Sequence, residues 1–125
     1  MKLRIFVPLL IVSYLGISAD ALAGIRGAVD LGRSSPHFGI WVGVELSADN
    51  KRQMRIPEGF GHGFLVLSDF ADFRHKTTEY WIKEHDLTVR WDDPAIGVRW
   101  PLTGEPVHAV KDICAPRLSE AEVFD

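Results

Sequence analysis

Apolar and polar residues alternate with a period of two through much of this chain. Ile40, Val42, Val44 and Leu46 alternate with Trp41, Gly43 and Glu45. That spacing predicts a strand with one strongly apolar face. Ser47-Ala48-Asp49-Asn50 supplies the following turn. Residues 52–57 predict a second strand, stopped by Pro57. Three glycines then fall within positions 59–63, where a tight turn or a close approach to the backbone is expected. Phe64 to Leu67 is apolar on both faces, as in an interior strand.

Residues 72–82 predict a longer strand, with Phe73, His75, Thr77, Glu79 and Trp81 on one face. Lys83 to Asp86 is a polar turn. Leu87, Val89 and Trp91 alternate with polar residues, as do Ile96, Val98 and Trp100. Asp92-Asp93-Pro94 separates these two candidate strands as a turn, and Pro101 stops the second. Ser119 is placed to cap a short helical turn through Glu120-Ala121-Glu122. Many short strands with turn signals between them indicate an all-β sandwich or barrel.

The N-terminus follows another pattern. Lys2 and Arg4 precede an apolar run from Ile5 to Ile17, and Ala21-Leu22-Ala23 precedes Gly24. Positive start, short apolar stretch and small-x-small site are the layout of a secretory signal peptide. The expected division is a leader over residues 1–24 and a domain over 25–125. Export would cleave after Ala23. The competing expectations are a buried strand, or an N-terminus unrelated to the domain.

Composition narrows the function classes. The 125 residues carry 14 Lys and Arg against 17 Asp and Glu, net −3. That balance gives no broad attraction to nucleic acid. A single cysteine, Cys114, excludes an internal disulfide framework and a multi-cysteine zinc site. His62 stands without the paired histidine that a His-x-His metal word would need. Trp41, Trp91 and Trp100 read as core or interface, and Asp92-Asp93 as a turn.

Several words in order resemble one family. They are Ala28-Val29-Asp30-Leu31, Ser35-Pro36-His37-Phe38-Gly39, Trp41-Val42-Gly43-Val44-Glu45-Leu46-Ser47-Ala48 and Asn50-Lys51-Arg52-Gln53. Then come Ile56-Pro57-Glu58-Gly59-Phe60-Gly61-His62-Gly63-Phe64, Lys76-Thr77-Thr78, Trp91-Asp92-Asp93-Pro94, Trp100-Pro101 and Lys111-Asp112. From about residue 28 onward the chain resembles the dTDP-4-dehydrorhamnose 3,5-epimerases of rhamnose biosynthesis. The resemblance implies a cupin-type double-sheet jelly roll, here incomplete at its N-terminus and ending in a short C-terminal helix. It implies a homodimer, a deoxy-ketosugar linked to thymidine diphosphate as substrate, and work in the cytoplasm. It implies no metal or organic cofactor. The family removes protons at carbons 3 and 5, each acidified by the C4 ketone, and returns them on the opposite face. Such chemistry needs a base of near-neutral pKa, a donor for the enolate oxygen and an acid beyond the sugar.

Matched word by word, the resemblance makes His62 a substrate contact near the sugar carbonyl. Lys111 is a substrate contact near the C-terminus. Asp86 takes a position usually held by glutamate, and Trp81 that of an aromatic residue beside the ligand. Two catalytic parts differ. The family's base belongs to an Arg-Gly-Leu-His word that occurs nowhere in these 125 residues. Its acid is a tyrosine just before the Lys-Thr-Thr word, where this chain has His75. Arg26 and Gly32 also replace the family's usual aspartate and arginine. The expectation is an N-terminally truncated family member of weak or absent turnover. The alternatives are a non-catalytic sugar-nucleotide-binding or assembly module, and a fragment that does not fold stably.

Overall fold

A computed structural model of the chain describes residues 2–6, 11–14, 24–69, 71–78 and 80–125. Eight strands form in chain order: β1 (Lys2–Phe6), β2 (Ile11–Tyr14), β3 (Gly24–Asp30), β4 (Trp41–Leu46), β5 (Gln53–Ile56), β6 (Phe60–Val66), β7 (Arg74–Thr77) and β8 (Val107–His108). One short helix, α1 (Val110–Ile113), follows β8. Five strands make one sheet in the order β4-β3-β6-β1-β8. Three make a second in the order β5-β2-β7. All pairings are antiparallel except β1 with β8.

Strand β6 is interior, as its two-sided apolar content predicts. It pairs with β3 through Ala28↔His62 and Arg26↔Phe64, and with β1 on its other edge. The turn before it needs Gly59, whose φ is +82°, a region L side chains avoid. Residues 2–6 and 11–14 fall within the segment that the sequence pattern assigns to a leader. Here they are β1, lying between β6 and β8, and β2, lying between β5 and β7. The small-x-small stretch Ala21–Ala23 is outside the described residues.

Four local expectations are corrected. Residues 87–91 and 96–100 form no named strand. Their side chains alternate in and out, with Val89 and Ile96 buried, but the backbone bonds elsewhere. The Arg90 N–H donates to Pro116 O at 2.8 Å. Period two here reports an extended segment laid across a sheet, not a ladder. The strand expected over 72–82 is limited to 74–77. Beyond it Tyr80, Trp81 and Ile82 stand exposed, with no facing layer to reward extension. The helix is also at 110–113, not 119–122. Near the C-terminus the Glu120 and Ala121 N–H groups both donate to Arg117 O, closing only a turn. That turn places Leu118 and Ala121 in the core. Finally, the apolar face of β4 is covered at one end only. Leu46 is 2% exposed, whereas Ile40 and Val42 are 58% and 56% exposed. β4 is an outer strand, and nothing described covers its Ile40 end.

The core packs Val29 and Leu31 against Val89, Ile96, Leu118 and Ala121, with Trp41, Trp91 and Val98 around them. Burying each side chain of Leu or Val size contributes roughly 1.5–3 kcal/mol. The 87–121 segment is therefore held on the five-stranded sheet mainly by side chains.

Candidate functional site

Alternation along β6 sends its residues to two different surfaces. A Cβ on Gly61 would meet Leu31 Cδ1 at 2.8 Å and Val29 Cγ1 at 3.2 Å. A Cβ on Gly27 would meet the Trp100 ring at 3.5 Å. That side of the sheet is the packed core. His62 and Phe64 alternate with Gly61 and Gly63, so they belong to the other side. There Phe64 stacks on Phe73, with ring centroids 4.3 Å apart. The Arg26 guanidinium lies over the same Phe73 ring at 4.1 Å. Phe73 leads directly into β7, so this face of the large sheet looks toward the strand that carries His75.

His62 is 3% exposed. On the opposite, packed side a shallow cleft runs along Gly27, Gly61 and Gly63 beneath Trp41, Trp91, Val98 and Trp100, and the His62 main chain borders it. The cleft wall is braced by Trp100, whose Nε1–H donates to Trp91 O at 3.1 Å. Trp91 in turn stacks on His108, with centroids 4.8 Å apart. His108 ends β8, and α1 begins two residues later. That stack ties the packed side of the sheet to β8, which leads into α1 and Lys111.

Lys111 and Asp86 come together. The Lys111 Nζ donates to both carboxylate oxygens of Asp86, at 3.0 and 2.9 Å. Their side chains are 35% and 14% exposed. Asp86 is positioned by the short 3-10 turn Lys83–His85, its N–H donating to Lys83 O. Trp81 is not brought into this group: it is 61% exposed and does not line that cleft. His75 is placed on β7 by its backbone, opposite Ser13 of β2; its side chain lies outside the described residues. Among the described residues no group of three or more His, Cys, Asp or Glu side chains could hold a metal ion.

Four buried charged residues escape the sequence reading. Asp93 accepts from the Ala95 N–H at 2.9 Å and from the Leu118 N–H at 2.6 Å. It is a latch between distant segments, not only a turn residue. Asp30 accepts from Ser35 Oγ at 2.6 Å and from the Gly32 N–H at 2.9 Å. Asp112, beside Lys111, is 3% exposed. Arg26 is likewise 3% exposed, and burial pulls its pKa down to about 10.

A model of the dTDP-4-dehydrorhamnose 3,5-epimerases matches residues 23–120. The chain belongs to this family. The epimerase of Pseudomonas aeruginosa is 50% identical over 97 residues, covering 78% of this chain and 54% of that protein. The epimerase of Salmonella typhimurium is 50% identical over 94 residues, covering 75% and 51%. The chain thus spans about half the length of these curated relatives. Among solved structures, an epimerase from Legionella pneumophila, in complex with dTDP-4-keto-L-rhamnose, superposes with a TM-score of 0.85 at 39% identity. That match covers 95% of this chain and 64% of the Legionella chain. The fold is the cupin-like jelly roll of the dTDP-4-dehydrorhamnose 3,5-epimerases. His62, Asp86, Lys111 and Arg26 all lie inside the span that the epimerase family model matches.

Proposed function

We propose that this chain binds a deoxy-ketosugar linked to thymidine diphosphate on its His62 face, and that alone it epimerises that sugar weakly or not at all. The observation that carries the reading is His62. It lies in the Pro57–Phe64 word of an epimerase-matched span, buried on a strand whose other face is closed by core packing. In this reading His62 contacts the sugar carbonyl region, where a nearby donor favours enolate character. Lys111 contacts the substrate by exchanging its Asp86 partner for a ligand oxygen. Asp86 is then a holding group for Lys111 as well as a substrate contact, and Trp81 is an aromatic neighbour of the ligand.

Proton transfer is the weak part. The family's histidine base has no counterpart word in these 125 residues. His75 takes the acid's position, and an unperturbed imidazole has a pKa of ~6.5 against ~10 for a tyrosine. General acid–base groups contribute typically about 10²- to 10⁴-fold in rate, so one missing and one altered group leave little turnover. The reading needs no cofactor. Its place of action is the cytoplasm, where the nucleotide sugar is made. No helix among the described residues is long and apolar enough to cross a membrane. Intact-mass measurement of the native protein tests this placement, because a start at Gly24 would mean export.

A second copy is the proposed macromolecular partner. Support comes from β4, an outer strand with Ile40 and Val42 exposed, since bare apolar edges favour strand-to-strand association. Light scattering of the purified chain decides between monomer and dimer. Binding itself is tested by calorimetric titration with a thymidine diphosphate ketosugar. The wild type should bind saturably and His62→Ala should bind at least tenfold more weakly. Failure of the wild type to bind would remove the proposal. A sigmoidal thermal transition in the same sample would set aside the reading of an unstable fragment.

A further inference from the structure

Arg26 is the only arginine or lysine that is buried among the described residues. Its Nε and Nη2 have no hydrogen-bond partner, and it forms no ion pair among the described residues. These two nitrogens share one edge of the guanidinium, so their N–H groups run side by side and can converge on a single acceptor. The guanidinium carbon lies 4.1 Å from the centre of the Phe73 ring, and Phe73 is itself stacked on Phe64. Burial without a counter-charge lowers the pKa to about 10, so the group stays cationic at neutral pH. The ring offsets part of that charge. A buried cation with two idle donors is still an unfavourable state that an anion relieves.

The space beside Arg26 decides which anion. Arg26 shares its sheet face with His62, because Ala28 lies opposite His62 and Arg26 opposite Phe64. On that face Leu46, Phe64, Val66, Ala71 and Phe73 surround a free space of about 20 Å³ next to Arg26. That is room for one water or one monatomic ion, and not for a phosphate or a carboxylate. A water would accept from Arg26 but meet no side-chain acceptor for its own hydrogens, and it would leave the charge uncompensated. A halide needs donors only, and a weakly hydrated one gives up little on entering apolar walls. We propose that Arg26 Nε and Nη2 hold one chloride ion as a buried counter-ion, with Leu46, Val66 and Phe73 around it. The ion is a component of the ligand face that the nucleotide-sugar reading does not assign. The assignment does not rest on that reading, because halide uptake is measured with no sugar nucleotide present.

Chloride NMR line widths and thermal unfolding of the full chain test the assignment, with sodium fluoride exchanged stepwise for sodium chloride at constant ionic strength. The chloride resonance should broaden when protein is added, and bromide should reverse the broadening by competition. Tm should rise saturably with chloride, by roughly 4–7 °C once chloride reaches about ten times its Kd. A general salt effect would instead follow ionic strength, which is held fixed, or favour fluoride, the more strongly excluded ion. Arg26→Met keeps the apolar volume and removes both donors; it should lose the bromide-sensitive broadening and the Tm response together. Absence of either effect in the wild type would overturn the proposal, as would an equal response in a folded Arg26→Met chain. If Arg26→Met does not fold, Ala71→Leu fills the space with Arg26 in place. It should remove both effects, and an unchanged response would also overturn the assignment.

Discussion

Replacing Asp93 by alanine should loosen the segment 92–118 that packs over the core side of the large sheet before anything else. Asp93 is 3% exposed and its carboxylate accepts two backbone N–H groups. The bond from Leu118, at 2.6 Å, ties the turn at 92–97 to a core residue 25 positions later. A hydrogen bond to a charged group contributes about 1.5–3 kcal/mol. The Leu118 N–H is buried and would stay unpaired, so its loss is felt in full. The Ala95 N–H belongs to an exposed residue and can turn to water, which costs under about 1 kcal/mol. Together these give roughly 3 kcal/mol for Asp93→Ala. For a domain of this size that is about 12 °C in Tm. Asp93→Asn keeps one acceptor but sets an amide N–H against a backbone N–H, and should cost roughly half as much. Urea unfolding followed by tryptophan fluorescence measures both, since Trp91 and Trp100 sit in the affected segment. A loss below ~0.5 kcal/mol for Asp93→Ala would refute the latch and the energetic reasoning behind it.

Gly61→Ala should destabilise by about 1–3 kcal/mol through overpacking, because its Cβ would meet Leu31 Cδ1 at 2.8 Å; a neutral result in thermal unfolding would mean the two strands separate easily. Lys111→Met should leave stability within about 1 kcal/mol, as for other partly exposed pairs, yet weaken nucleotide-sugar binding in titration; the reverse outcome would make the Asp86 pair purely structural. Asp92 is held below the usual carboxylate range by the Arg90 hydrogen bond and charge. Its small contribution is therefore present above its unfolded pKa and fades as pH falls through the lower folded one, so Asp92→Asn should flatten the acid limb of a stability–pH curve. Deleting residues 1–23 removes β1 and β2, each paired on both sides; loss of the cooperative thermal transition is expected, and a fully stable 24–125 chain would favour a dispensable leader.

The strands that align in a ladder were legible where alternation and turn chemistry agreed. β4 and β5 lie where Ile40–Leu46 and the stop at Pro57 place them, whereas β6 begins at Phe60, inside the glycine run and four residues before the strand read from Phe64. The same alternation misled at 87–91 and 96–100, because side-chain burial and backbone pairing are separate facts. Val89 and Ile96 are buried while the neighbouring Arg90 N–H bonds to Pro116 O. His62 was legible because its word is specific. The Lys111–Asp86 pair was legible only as two positions, since nothing local in sequence joins residues 25 apart. Asp93 and Arg26 could not be ranked as buried from composition, because a charge on a strand or turn is ordinarily solvated. Only the folded chain supplies the Leu118 N–H to one and the Phe73 ring to the other.

The most direct test of the functional reading is deuterium wash-in at carbons 3 and 5 of a thymidine diphosphate 4-keto-6-deoxy sugar, followed by NMR with the purified 125-residue chain at saturating ligand. The expected result is saturable binding with exchange at least about a hundredfold slower than in a family enzyme that has the histidine base. Exchange at the rate of such an enzyme would contradict it, and would mean that His62, His75 or another group already supplies the base.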